Sequence, residues 1–296
     1  MHAASVLQAT RPAFLVLAPA CVWLGLASAL SGHGVVSLPL FALVLTGALA
    51  AHVSVNALNE YYDFRSGLDL KTARTAFSGG SGALPARPEM AGAVLATGLA
   101  SLALTVAIGL YLAVAHTLQL LPLGLAGLAL VATYTPWLNR SPLLCLVAPG
   151  LGFGVLMVVG TQLVLTGQAP SQAWWLSLIP FFLVNNLLLL NQYPDIDADA
   201  GVGRRHFPIA YGIRVSNAVY GLFALAAYAT LLYLVISRQL PRAALLGLLP
   251  AVFSLYAFAG MLRHGAGIAG WPAYMGANVA AAVLTPLLLG IGMLLG

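Results

Sequence analysis

Residues 38–63 read LPLFALVLTGALAAHVSVNALNEYYD, a long apolar run that ends abruptly in asparagine, glutamate and aspartate. A helix crossing a hydrocarbon layer about 30 Å thick needs roughly 20 such residues. The rest of the chain is built the same way. Its 296 residues are 61% hydrophobic and 6% charged, with a mean hydropathy of +0.96, whereas soluble domains carry about 25% charged residues. This composition marks an integral membrane protein. Nine runs are long enough to span, near 13–31, 36–58, 90–115, 118–137, 143–166, 173–193, 215–237, 243–262 and 272–295. Only helices or closed barrels satisfy their backbone in lipid, and continuous apolar runs without strict alternation favour helices. The expected fold is therefore all-α, a bundle of about nine transmembrane helices forming one domain over 1–296.

The remaining composition is consistent with this. Cys21 and Cys145 each lie inside an apolar run, far apart, with neither disulfide nor metal-site spacing. The first run is expected to persist as a helix, because its apolar part is long and Pro19 suits a lipoprotein cleavage site poorly. The net charge of +5 is read as topology. With the nine runs in place, Arg11, Arg65, Lys71, Arg74, Arg87, Arg140, Arg204, Arg205, Arg214 and Arg263 share the N-terminal side, leaving Arg238 and Arg242 opposite. That imbalance places the N-terminus in the cytoplasm, as expected for a bacterial-type inner (plasma) membrane protein.

Of the seven acidic residues, three follow the second run (Glu60, Asp63, Asp69), three follow the sixth (Asp195, Asp197, Asp199), and Glu89 stands alone. An even number of crossings separates the clusters, so both open on the cytoplasmic side. NEYYD at 59–63 and NQYPD at 191–195 share Asn, Tyr and Asp at one spacing, as an internal duplication would leave them. Asn56, Asn59 and Asp63 fall at i, i+3 and i+7, while Asn191, Asp195 and Asp199 fall at i, i+4 and i+8. Each set is one helical face. Pro194 predicts a kink or restart in the second.

Carboxylates at membrane depth cost about 2.5–3.5 kcal/mol each unless a cation or a water-filled cavity compensates them. Mg²⁺ is the natural candidate, since it takes oxygen ligands and is usually held by one or two carboxylates plus substrate phosphates. Basic residues trail both clusters: Arg65, Lys71 and Arg74 on one loop, Arg204 and Arg205 on the other. Two carboxylate sets with cations behind them describe a receptor for a diphosphate.

NALNEYYDFRSGLD at 56–69, RTAFSGGSG at 74–82 and NQYPDIDADAGVGRRHFPIAYG at 191–212, with ATRP at 9–12 and YTPW at 134–137, resemble the signature regions of the UbiA superfamily of intramembrane prenyltransferases. The branch most resembled contains the 1,4-dihydroxy-2-naphthoate prenyltransferases of menaquinone synthesis. Two positions depart from the family pattern: Glu60, where Asp is usual, and His206, where Thr or Asn is common. The resemblance implies transfer of a polyprenyl group from its diphosphate to an aromatic acceptor, a dihydroxynaphthoate-like quinone precursor, with a hydroxybenzoate, another phenol, a lipid alcohol or a carotenoid as alternative acceptors. It implies that Asn59, Asp63, Asn191, Asp195 and Asp199, with Asp69, hold two Mg²⁺ ions on the diphosphate. Arg65, Lys71, Arg74, Arg204 and Arg205 would then neutralise its oxygens, and ring faces of Tyr61, Tyr62, Tyr134 and Tyr193 would lie near the allylic cation.

DIDADAG at 195–201 fails as a calcium loop, because the glycine falls one place late and His206 occupies the twelfth position. SGGSG at 78–82 is either an anion-binding nest or a flexible turn. His52, His116 and His264 show no metal spacing and are expected to be packed or interfacial, and Asn278 to bond a neighbouring helix. A cation-coupled transporter is the alternative from another class, but it predicts acids near the membrane midplane, whereas both clusters fall at one face.

Overall fold

The computed structural model describes residues 2–296, and among the described residues every regular element is helical. A short α1 (His2–Ala9) precedes α2 (Leu17–His33) and α3 (Leu38–Arg65). After a loop holding the short α4 (Ala83–Ala86) come α5 (Ala91–Ala115), α6 (Leu120–Thr133), α7 (Pro142–Gly150) and α8 (Met157–Thr166). Then follow α9 (Ser171–Asn191), the short α10 (Ile196–Ala200), α11 (Phe207–Ile236), α12 (Ala251–His264) and α13 (Pro272–Leu295). Including flanking 3₁₀ and π turns, eight helical stretches among the described residues are long and apolar enough to cross a membrane. The fourth run, expected at 118–137, forms the 14-residue α6, about 21 Å long at 1.5 Å per residue.

Local sequence sets the boundaries. Ser37 caps α3, its Oγ accepting the Leu40 N–H at 3.4 Å, and prolines open α7 and α13. Pro149 precedes a π segment, Leu151–Leu156, that joins α7 to α8. There Gly154 permits close packing on α9, since a Cβ on it would lie 2.4 Å from the Phe181 backbone N. The run expected to begin at 215 starts earlier, at Phe207, and breaks at Gly212, whose φ of 77° a residue with a side chain adopts at a cost.

α2, α8, α9, α11 and α13 enclose the core, with Leu24, Val158, Ile179, Leu231 and Leu289 fully buried. α3 packs on α5, to one side of that core. Large side chains such as Leu99, Leu104, Leu222 and Leu225 are exposed on the outside, as expected of a surface solvated by lipid. Cys21 and Cys145 are free and buried.

Candidate active site

α3 does not stop where its apolar run stops. It continues through Asn59, Glu60 and Asp63 to Arg65, so the first motif is helical and its asparagine-aspartate face points inward. The second motif is broken as Pro194 predicts: α9 ends at Asn191, a turn follows, and α10 resumes at Ile196. Both faces nevertheless reach one cavity of about 560 Å³, lined by Asn56, Asn59, Asp63, Asp69, Asn191, Asp195 and Asp199. Beyond this polar end the wall is apolar, formed by α3, α5, α6, α8 and the π segment, with Ile108, Leu112, Leu128, Phe153 and Met157 among its residues.

Arg204 joins the two motifs across the cavity. Its Nη1 donates to Asp199 Oδ1 at 2.9 Å, and its Nη2 donates to Asp63 Oδ1. Burial opposes the charge on Arg204, yet Asp63 and Asp199 outweigh burial and raise its pKa above the ordinary value. His206 Nε2 lies 3.0 Å from Asp199 Oδ2.

Around this bridge, five buried oxygens have no hydrogen-bond partner: Asp69 Oδ2, Asn139 Oδ1, Asn191 Oδ1, Gln192 Oε1 and Asp195 Oδ1. All five residues line the cavity. Each unpaired buried group costs about 1–3 kcal/mol. At this polar end the five unpaired oxygens outnumber the unpaired nitrogens, Arg11 Nε and His206 Nδ1, an excess of acceptors that asks for a cation or a multiple donor. Asp69 and Asp195 register the same imbalance. Burial pushes the pKa of each up to about 7, aided at Asp69 by Glu60 and Asp63 and at Asp195 by Asp199. Among the described residues, no three His, Cys, Asp or Glu side chains are arranged to hold a metal on their own. The donor set, carboxylates with amide oxygens, still fits Mg²⁺, which completes its octahedron with water and phosphate oxygens.

Glu60 has a different setting from the other acids. It is fully buried and accepts from Arg11 Nη2 and the Ser81 N–H, each at 3.1 Å, and from Ser81 Oγ. The longer glutamate thus ties the first motif to the N-terminal arm and to the SGGSG loop. That loop is a nest for the protein's own carboxylates, because the Gly79 N–H donates to Asp195 Oδ2 at 3.1 Å. Gly80, with φ 75°, lies so close to Asp69 that a Cβ would sit 2.7 Å from Oδ1. One five-residue loop therefore touches acids of both motifs.

The expected cationic clamp is narrower in the structure. Arg204 lines the cavity, whereas Arg65, Lys71, Arg74 and Arg205 are exposed and do not. The reason is local: Arg65 and Lys71 lie beyond the inward face of α3, and the Arg74 guanidinium packs over Gly82. Of the tyrosines, Tyr134 lines the cavity. Tyr61 and Tyr62 point off the inward face and pair with each other, and Tyr193 is buried away from the cavity with its hydroxyl donating to Asn217 Oδ1 at 2.8 Å. Asp197 is exposed.

The profile of the UbiA prenyltransferase family matches residues 16–280. The chain belongs to the UbiA prenyltransferase family. As a UbiA enzyme it is a membrane-embedded prenyltransferase, which sets the transporter reading aside. It is 30% identical over 237 residues to the 1,4-dihydroxy-2-naphthoate octaprenyltransferase of Bacillus subtilis, covering 78% of this chain and 73% of that one. It is 28% identical over 186 residues to the digeranylgeranylglyceryl phosphate synthase of Methanopyrus kandleri, covering 62% and 63% respectively. Two solved UbiA homologues share the fold. The apo protein from Aeropyrum pernix K1 has a TM-score of 0.71 at 17% identity, over 95% of this chain and 97% of that one. The Archaeoglobus fulgidus protein bound to DMAPP and Mg²⁺ has a TM-score of 0.64 at 16% identity, over 97% and 99%.

Several residues of this UbiA site were not picked out by sequence reasoning. Arg11 holds Asn59 Oδ1 at 3.3 Å as well as Glu60 and sits at φ 51°, a left-handed conformation unusual for arginine. Thr135, from YTPW, accepts from Asn59 Nδ2 at 3.2 Å. Gln192 and Asn139 supply two of the unpaired oxygens. The available signals were the ATRP and YTPW stretches themselves, small polar islands beside apolar runs.

Proposed function

We propose that this UbiA prenyltransferase transfers a polyprenyl group from its diphosphate to an aromatic acceptor of the dihydroxynaphthoate kind, with Mg²⁺ as the required ion. The chain would act as one membrane-embedded domain, with both motifs on the cytoplasmic side of a bacterial-type inner membrane. The carrying observation is the set of unpaired oxygens from both motifs at the polar end of one otherwise apolar cavity. The naphthoate-prenylating relative supports the acceptor class.

Asn59, Asp63, Asp69, Asn191, Asp195 and Asp199 would hold two Mg²⁺ ions, which would supply positive charge to the diphosphate when bound. Arg204, already between the motifs, and Arg11 are the cations best placed to meet the diphosphate. Arg65 at the end of α3, with Lys71, Arg74 and Arg205 on the flanking loops, would raise the local anion concentration. As the C–O bond breaks, its electron pair leaves on the diphosphate. Fixed cations stabilise that developing charge more than they stabilise the ground state. The apolar wall excludes water from the allylic cation, and the Tyr134 ring offers it a negative face. The acceptor ring then supplies the electron pair of the new C–C bond. For a naphthoate, the ring carboxyl departs as CO₂ and its bonding pair returns to the ring.

The test is incubation of purified protein with Mg²⁺, labelled geranyl diphosphate and a panel comprising 1,4-dihydroxy-2-naphthoate, 4-hydroxybenzoate and a glyceryl phosphate lipid. Prenylated naphthoate is expected, dependent on Mg²⁺ and suppressed by EDTA. Product on the glyceryl lipid alone would replace the aromatic reading.

A further inference from the structure

On α3, His52, Asn56, Asn59 and Asp63 fall at i, i+4, i+7 and i+11, and all four line the cavity. The three nearer the membrane face are engaged. Asn56 Nδ2 donates to the Thr10 carbonyl at 2.9 Å, Asn59 bonds Arg11 and Thr135, and Asp63 bonds Arg204. His52 differs. It is 4% exposed, its Nδ1 is buried without a partner, and its ring stands edge-on to Phe153, centroids 4.6 Å apart. Seven residues along a helix place it about 10 Å deeper than Asn59, beyond the reach of the diphosphate subsite.

Phe153 comes from the π segment, and such local helix distortions often mark functional positions. Gly152 and Gly160 line the same cavity and have nothing within 4 Å of where a side chain would begin. An imidazole with an unsatisfied nitrogen stands against an aromatic ring in a cavity whose otherwise apolar wall also leaves open space at Gly152 and Gly160. An isoprenoid tail filling this space would leave the imidazole unpaired, at about 1–3 kcal/mol. A flat ring carrying a hydroxyl satisfies both neighbours.

We infer that His52 and Phe153 form the acceptor subsite, with His52 hydrogen-bonding a ring hydroxyl of the acceptor and Phe153 packing against its face. This rests on the aromatic-acceptor reading above and adds a specificity-determining residue to it. The role is binding and orientation of the acceptor, and the imidazole takes no part in breaking the C–O bond.

The test is steady-state kinetics in detergent with Mg²⁺ and geranyl diphosphate, using whichever of 1,4-dihydroxy-2-naphthoate and 4-hydroxybenzoate the wild type prenylates. His52→Phe keeps a ring but no hydrogen-bonding nitrogen, and is expected to raise the acceptor KM at least tenfold while the KM for geranyl diphosphate stays within twofold. His52→Asn, which restores a polar group near Nδ1, is expected to recover part of that loss. Thermal melting of both variants confirms folding, and His52→Asn carries the comparison alone if His52→Phe fails to fold. An unchanged acceptor KM in His52→Phe, or in a folded His52→Asn tested alone, overturns the inference and leaves the enzyme reading intact. So does an equal rise in both KM values, which would place the isoprenoid tail beside His52. If the wild type prenylates neither aromatic acid, the acceptor reading falls and this inference falls with it.

Discussion

At the scale of single residues, the acids divide by what surrounds them. Asp63 and Asp195 contribute oxygens to the cavity, whereas Glu60 is saturated by Arg11 and Ser81. Asp195→Asn is expected to lower turnover about 100-fold or more while the melting temperature holds, whereas Asp63→Asn, which also removes the charge facing Arg204, should lower both, as rate and melting assays on one preparation will show. Glu60→Ala should do the reverse in kind, because it leaves the partly exposed Arg11 and the Ser81 donors without their acceptor, at about 1–3 kcal/mol for each buried donor left unpaired, and lowers the melting temperature first. Asp69 and Asp195 also predict a pH dependence. Their folded pKa values of about 7 exceed the ordinary 3.8, so between these values the folded protein holds protons that the unfolded chain has released. Their contribution to stability therefore falls as pH rises from about 4 to 7 and is level above. Without divalent ions the melting temperature should decline across that window, and Mg²⁺ affinity, which needs the ionised carboxylates, should increase across it. Asp69→Asn with Asp195→Asn should flatten the first trend.

At the scale of elements, the SGGSG loop offers a controlled comparison. Gly80 and Gly67 share a positive φ, 75° and 77°, but a Cβ on Gly80 collides with Asp69 while one on Gly67 meets nothing within 4 Å. Gly67→Ala is expected to cost about 1–2 kcal/mol from backbone conformation alone and to spare activity. Gly80→Ala should cost at least that and reduce turnover more than tenfold by displacing Asp69, as paired melting and rate measurements will check. Elements of this kind were unevenly legible in the sequence. Apolar runs and helical spacing placed α3, α9 and their inward faces, because burial writes a period into the chain. Spacing said less about segments past a helix end. Lys71, Arg74 and Tyr193 follow such ends, where side-chain direction depends on turns and tertiary contacts, so their grouping with the cavity residues did not carry over. Arg11 was hidden for the complementary reason: its partners Asn59 and Glu60 are 48 and 49 residues away, and no local pattern encodes that meeting.

At the scale of the whole molecule, the cavity is a joint product of helices distant in sequence, held by Arg204 between two acids. A ligand that bridges the same acids should stabilise the entire bundle. Mg²⁺ with geranyl diphosphate at about 100 times its Kd is expected to add about 2.7 kcal/mol, read as a rise in melting temperature, and Asp63→Asn should abolish the rise.

The two motifs are not interchangeable. Gly79 and Ser81, both encoded in the first half, supply backbone donors to Asp195 from the second half and to Glu60 from the first. A chimera that joins the amino-terminal portion of this enzyme to the carboxy-terminal portion of a homologue would thus inherit its catalytic geometry across the seam through that short clasp. Breeding new acceptor preferences by half-exchange calls for the clasp and the aspartate it holds to be transplanted as a matched pair.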